Sequence, residues 1–318
     1  MNRLLYLLLL VVCSQTLSAQ QLPLFTQYRS NQGLINPASI NGDYFVNGNN
    51  LAFGASYRKQ WGILEAAPTT QTLHGEYFQP STGAFNFLAG GYLMSDQTGP
   101  TGFTGIYGRF AGVLADNPKY AGLSLGLNLG VVQYKVDGNM IRLKDAGDAI
   151  GNAGYNQWYP DAGLGAFAYT MLDNGFFDDD YVFVGLSVPQ VIGLDLEFET
   201  EDGSFNTRRV QHFYAQGGLY HFINDESFVE VSTWVKYVPA APVNIDLNVR
   251  YQMAGNFWGG LGYSTSRNLH LEAGFILGGN IGFTNTIKAG YGFDYSISEF
   301  GPYAGSTHEL NLSVSLAR

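Results

Sequence analysis

From Val243 to Met253 the apolar or aromatic residues Val243, Ile245, Leu247, Val249, Tyr251 and Met253 alternate with Asn244, Asp246, Asn248, Arg250 and Gln252. A period of two puts the first set on one face of a strand and the second set on the other. The alternation returns at Leu310, Leu312, Val314 and Leu316 against Glu309, Asn311, Ser313 and Ser315, and at Ile287, Ala289, Tyr291, Phe293 and Tyr295 against Lys288, Gly290, Gly292, Asp294 and Ser296. Runs of this kind bounded by turn-forming residues predict strands near 50–61, 69–79, 83–95, 102–115, 120–135, 157–170, 180–189, 207–222, 227–238, 243–254, 256–266, 269–278, 285–297 and 306–317, about fourteen in all. Most exceed the ~5–6 residues of ordinary globular strands and reach the ~9–11 needed to cross a bilayer at a tilt. A soluble sandwich has the same pattern in any single strand. Length and an even strand number therefore decide for an all-β fold, a transmembrane antiparallel β-barrel.

The links agree with a barrel that has two unlike mouths. One set is tight, at Pro80–Thr82, Asp116–Lys119, Asn224–Glu226, Gly255 and Gly279–Asn280, with Asp173–Asp180 longer than expected. The other set contains Asp137–Asn156 and Gln190–Asn206, alongside the short Ala240–Ala241 and Arg267–Asn268. Short periplasmic turns and longer extracellular loops are expected of such barrels, and the two long loops are the expected partner surface. Trp61, Trp158, Tyr159, Trp234, Tyr237, Phe257 and Trp258, near strand ends, suit aromatic girdles at the two interfaces. Gly122, Gly126 and Gly130, on a polar face, are expected to relieve crowding where the wall curves.

Composition narrows the picture. Only 13% of the 318 residues are charged, against roughly a quarter in a soluble domain. The net charge is −10, and no basic patch is visible, which excludes nucleic acid as an expected partner. Residues 1–19, with Arg3, an apolar run from Leu4 to Val12 and Ala19, have the anatomy of a secretory signal peptide, cleaved to leave Gln20 first. The apolar run is too short to span a bilayer, and no later segment is long enough. Export followed by outer-membrane residence as a multi-pass barrel is the expected fate. The only cysteine, Cys13, lies in that leader, so the mature chain has no thiol. Residues 20–48 read as an N-terminal periplasmic or plug segment, and residues 49–318 as the barrel.

Candidate chemistry changes little. Gly122-Leu123-Ser124-Leu125-Gly126 matches a nucleophile elbow in letters only, since the alternation runs straight through it. Gly163-x-Gly165-x-x-Ala168 precedes no helix pattern, and His74, His212, His221, His270 and His308 have no metal spacing. Asp178-Asp179-Asp180 reads as a solvated turn. His308 and Glu309 are adjacent and so face opposite sides, which separates the two members of any catalytic pair. No catalytic, cofactor or metal site is expected. The inward charges Arg58, Glu230, Lys236, Asp246, Arg250, Glu272, Lys288, Asp294 and Glu309 carry both signs, as salt-bridged filling would. Arg58 is expected to pair with an inward carboxylate such as Glu309 across the first and last strands.

After the leader come Gln20-Gln21-Leu22-Pro23-Leu24-Phe25-Thr26-Gln27-Tyr28, then Asn31, Leu34-Ile35-Asn36-Pro37-Ala38, Tyr57-Arg58-Lys59-Gln60-Trp61 and Ala67-Pro68-Thr69-Thr70. Later come Asp96-Gln97-Thr98-Gly99, Gly185-Leu186-Ser187-Val188-Pro189, Tyr291-Gly292-Phe293-Asp294-Tyr295 and Ser306-Thr307-His308-Glu309-Leu310. This ordered set resembles the PorP/SprF family of type IX secretion and gliding outer-membrane proteins of Bacteroidetes. The family pattern has Gly before the Ala-Pro pair, where this chain has Ala66. The resemblance implies a non-enzymatic barrel that supports export or surface anchoring of a large partner, such as an adhesin with a C-terminal sorting domain. It further implies periplasmic ring or OmpA-like components of the machinery as partners. Gln27, Tyr28, Asn36, Pro37, Arg58, Gln60, Trp61, Pro68, His308 and Glu309 are the motif positions expected to seal the lumen or meet a partner. A channel for small solutes in the outer-membrane lipid is the alternative.

Overall fold

The computed structural model describes residues 24–141, 154–176, 179–193, 195–200, 203–208, 210–224, 227–254, 256–278, 285–299 and 301–318. The alternating segments are β1 (Leu51–Lys59), β2 (Thr69–Gln79), β3 (Phe85–Thr98), β4 (Thr101–Leu114), β5 (Ala121–Asp137), β6 (Gly154–Leu172), β7 (Asp180–Val188), β10 (Phe213–Asn224), β11 (Ser227–Tyr237), β12 (Asn244–Gln252), β13 (Phe257–Ser264), β14 (Asn268–Leu277), β15 (Thr286–Ser296) and β16 (Thr307–Leu316). These fourteen strands form one closed antiparallel barrel, and β8 (Asp195–Thr200) and β9 (Gly203–Arg208) form a separate hairpin between β7 and β10. The seam is fully zipped, because β1 pairs with β16 from Leu51↔Leu316 to Lys59↔His308. Closure leaves the wall no edge strand.

The apolar face of each alternation points outward. Phe53, Leu125, Leu247, Leu271 and Leu312 are exposed, whereas Arg58, Ser124, Asp246 and Glu309 are buried inside. A soluble barrel has the reverse arrangement, and an outward apolar band with a polar interior is stable only when hydrocarbon surrounds the wall. Two sequence expectations need correction. The stretch 207–222 is not one strand: Val210–His212 lie outside any strand and β10 starts at Phe213, so part of the 190–206 loop is the β8–β9 hairpin. The girdle assignment also splits. Trp158, Tyr237 and Phe257 face out, but Tyr159, Trp234 and Trp258 are buried in the lumen. Trp158 and Tyr159 are neighbours on one strand, and so are Phe257 and Trp258, so each pair must divide between the faces. The leader 1–19, residues 20–23, most of the 137–156 loop and Asp178 lie outside the described residues.

Residues 24–50 fold into the lumen and not across its mouth. They make a 3-10 turn at Tyr28–Asn31, helix α1 (Gln32–Ile35) and helix α2 (Gly42–Asn47). Helices this short are not stable alone, so packing against the wall must hold them. One aromatic cluster joins Ala38, Ile40 and Phe45 to wall residues that include Phe78, Phe167, Tyr169, Phe183 and Tyr220. A second joins Phe25, Tyr28, Leu34 and Ile35 to Tyr92, Tyr107, Tyr214 and Trp234. The core of the molecule is therefore the interface between plug and wall. Asn41 caps α2 by accepting the Asp43 amide at 2.9 Å, and Gly48 ends it with φ 69°.

Candidate functional site

Four sets of polar contacts fasten the plug around the lumen. Near the mouth that carries the long loops, the Thr26 and Gln27 amides donate to the two carboxylate oxygens of Glu309 at 2.7 and 3.0 Å. The Thr26 hydroxyl donates to Asp294 Oδ1 at 2.8 Å, and His270 Nδ1 lies 2.7 Å from the same oxygen. Arg58 lies between the two carboxylates, 2.8 Å from Asp294 and 3.3 Å from Glu309, and also bonds the Thr26 hydroxyl. Arg58, Asp294 and Glu309 come from β1, β15 and β16, so this cluster spans the closing seam and holds the start of the plug. Charge-assisted bonds of this kind are the stronger class.

Deeper in the lumen, Tyr28 donates to the Ser232 hydroxyl at 2.7 Å, and its ring lies 5.5 Å from that of Trp234. Arg29 binds Glu230 and the Tyr220 hydroxyl, and its guanidinium stacks on Phe183. Arg250 takes the other oxygen of Glu230. Asn31 accepts from the hydroxyls of Thr72 and Ser56 at 2.9 and 3.3 Å.

The third set belongs to the Asn36-Pro37 turn. Asn36 Nδ2 donates to the Ala166 carbonyl at 3.0 Å, while Asn36 Oδ1 accepts the Ala38 amide at 2.9 Å, closing an Asx turn. Arg109 donates to the Pro37 carbonyl at 2.9 Å and also binds the Ser39 carbonyl and Glu76. Ser187 donates to the Ile35 carbonyl at 2.7 Å. A Cβ at Gly126 would meet the Pro37 backbone, and one at Gly165 would meet the Asn36 side chain and the Pro37 ring. The wall glycines here thus make room for a second backbone. At the short-turn mouth, Asp43 binds Lys288 and accepts from the Ser315 hydroxyl at 2.7 Å. Burial pushes the Asp43 carboxyl upward, but Lys288 and these hydrogen bonds outweigh it and hold the group below the usual carboxylate range.

The motif positions expected to act therefore divide. Gln27, Arg58 and Glu309 meet in the seam cluster, Tyr28 sits against Trp234, and Asn36 and Pro37 sit under Arg109. Gln60 lies just past the end of β1, where its amide donates to the Pro68 carbonyl at 2.8 Å. The Trp61 amide donates to the Thr307 hydroxyl at 3.3 Å. These three residues shape the rim and take no part in the plug contacts. His308 points outward, with Nδ1 2.6 Å from the Tyr291 hydroxyl, opposite to Glu309. Sequence reasoning missed Arg29, Asp43, Glu76, Arg109 and His270. Arg109 was accessible in principle, because its neighbour Phe110 is outward and strand parity turns Arg109 inward. Among the described residues no group of His, Cys, Asp and Glu has the arrangement of a metal site.

A model of the family "Type IX secretion system membrane protein PorP/SprF" matches residues 17–314. The chain belongs to the PorP/SprF family. No curated protein matches it in sequence. In structure it is similar to the Pseudomonas putida toluene transporter TodX, with a TM-score of 0.54, 10% identity and coverage of 91% of this chain and 94% of that one. A TodX deletion mutant described as a monoaromatic hydrocarbon channel gives 0.53, 12%, 90% and 93%, and a Pseudomonas aeruginosa FadL homologue gives 0.53, 11%, 89% and 93%. At such identities the likeness is one of fold, that of outer-membrane barrels. Family and fold together make this a type IX secretion membrane protein built as a barrel.

Proposed function

We propose that the chain is a closed, non-enzymatic outer-membrane barrel that anchors or helps to export a large secreted partner, such as an adhesin with a C-terminal sorting domain. The carrying observation is the plug: residues 24–50 occupy the lumen and are tied to β1, β4, β6, β7, β11, β15 and β16. A lumen filled in this way favours a scaffold over a porin-like solute channel, the competing reading, whose bore is water-filled. Partner contact then falls to the rim and the long loops, with the β8–β9 hairpin facing the cell exterior. Periplasmic ring or OmpA-like components meet the short-turn mouth. Gliding motility in a member of the Bacteroidetes, and delivery by a leader cleaved after Ala19, complete the proposal. Purification of a tagged copy from detergent-solubilised outer membranes of its own host tests it. A surface protein with a sorting domain, or a periplasmic secretion component, is expected in near-equal amount. A clean monomer that conducts ions in planar bilayers contradicts it.

A further inference from the structure

Between the plug and the short-turn half of the wall lies a chamber of about 50 Å³, lined by Arg29, Asn41 and Asp43 from the plug and by His74, Arg250 and Lys288 from the wall. A single water occupies roughly 10–15 Å³ on this scale, so the space fits one small ion or a few waters. The lining is unbalanced in hydrogen-bonding capacity. Both oxygens of Asp43 are engaged, by Lys288 and Ser315, and both of Glu230, just behind the lining, by Arg29 and Arg250. Glu272, the further carboxylate near Arg250, is not part of the lining. A donor is left over. Among the described lining residues Arg29 Nη1 is buried with no protein partner, as is His74 Nδ1, which donates in one tautomer only, and the Arg29 side chain is only 8% exposed. A guanidinium N–H can only donate, so what completes it must accept.

We infer that this chamber is a binding site for a small inorganic anion, held by Arg29 from the plug together with Arg250 and Lys288 from the wall. Such an ion bridges the two parts of the molecule. It satisfies the spare donor of Arg29 and offsets the one positive charge that Arg29, Arg250 and Lys288 carry in excess of Asp43 and Glu230. A cation is disfavoured by that excess, and an apolar ligand leaves the Arg29 donor unsatisfied.

Crystals of the full chain in detergent, soaked in sodium bromide and measured at the bromine absorption edge, test the site. The expected result is an anomalous peak inside the chamber within hydrogen-bonding reach of Arg29 Nη1. In parallel, the unfolding midpoint is compared in sodium bromide and in sodium gluconate at equal ionic strength. The parent is expected to gain a few degrees in bromide, saturably. Ala52→Leu fills the chamber from β1 without touching an ion pair and is expected to abolish that gain, whatever its own basal stability. Peaks confined to the surface, or an equal bromide shift in parent and Ala52→Leu, overturn the inference and leave a chamber that holds water with an adventitious ion only.

Discussion

At Arg58 a single side chain serves two carboxylates and one hydroxyl in a nearly dry setting. Removing one member of a buried ionic cluster leaves the others uncompensated, at a cost of ~3–5 kcal/mol. Arg58→Ala is therefore expected to lower stability by about that amount in denaturant titration. Arg58→Lys should recover only part, because an ammonium cannot span Asp294 and Glu309 as a planar fork does. Asp43 gives a pH dependence. Its docked pKa is depressed, so its contribution is complete above the usual carboxylate value and disappears as pH falls through the depressed one. Unfolding midpoints of the parent should fall more steeply below about pH 4 than those of Asp43→Asn, and parallel curves would contradict the pairing. Ala66 explains a departure from the family pattern in physical terms. It has φ 55°, in the left-handed region that a Cβ disfavours, at the position where the pattern has glycine. Ala66→Gly should raise stability by up to ~1 kcal/mol, measured as a shift in denaturant midpoint.

The strands were legible because each alternation carries its own register, and a wall of outward Leu, Val and Phe has one solution when the count is even. The plug was legible only as a segment. Residues 24–50 have no sustained period, and their structure depends on partners as distant in sequence as Glu309 for Thr26 and Lys288 for Asp43. A strand pattern marks Arg58 and Glu309 as inward but says nothing about a third chain segment between them. The wall glycines do relieve crowding, as the sequence suggests, but at Gly126, in a regular strand, what crowds is the Pro37 backbone of the plug, which no strand pattern reveals. Within the plug, α2 is seated by Phe45, whose ring lies 4.8 Å from Tyr169 and 5.2 Å from Tyr181. Phe45→Ala should cost ~3–5 kcal/mol of plug docking. Limited proteolysis is expected to cut between residues 41 and 50 in that variant, while Val46→Ala, at a half-buried position, remains resistant.

As a whole the molecule is a lipid-facing wall around an aromatic and ionic core supplied by its own N-terminal segment. Fourteen strands give the wall its closure, and the plug packs two aromatic clusters against the inside of that wall. Closure of the lumen by the plug is read most plainly as conductance in planar bilayers. The full chain is expected to insert without a steady current, and a variant lacking residues 24–48 of the plug to conduct. A full chain that conducts as well as the deleted one shows that the plug does not close the lumen.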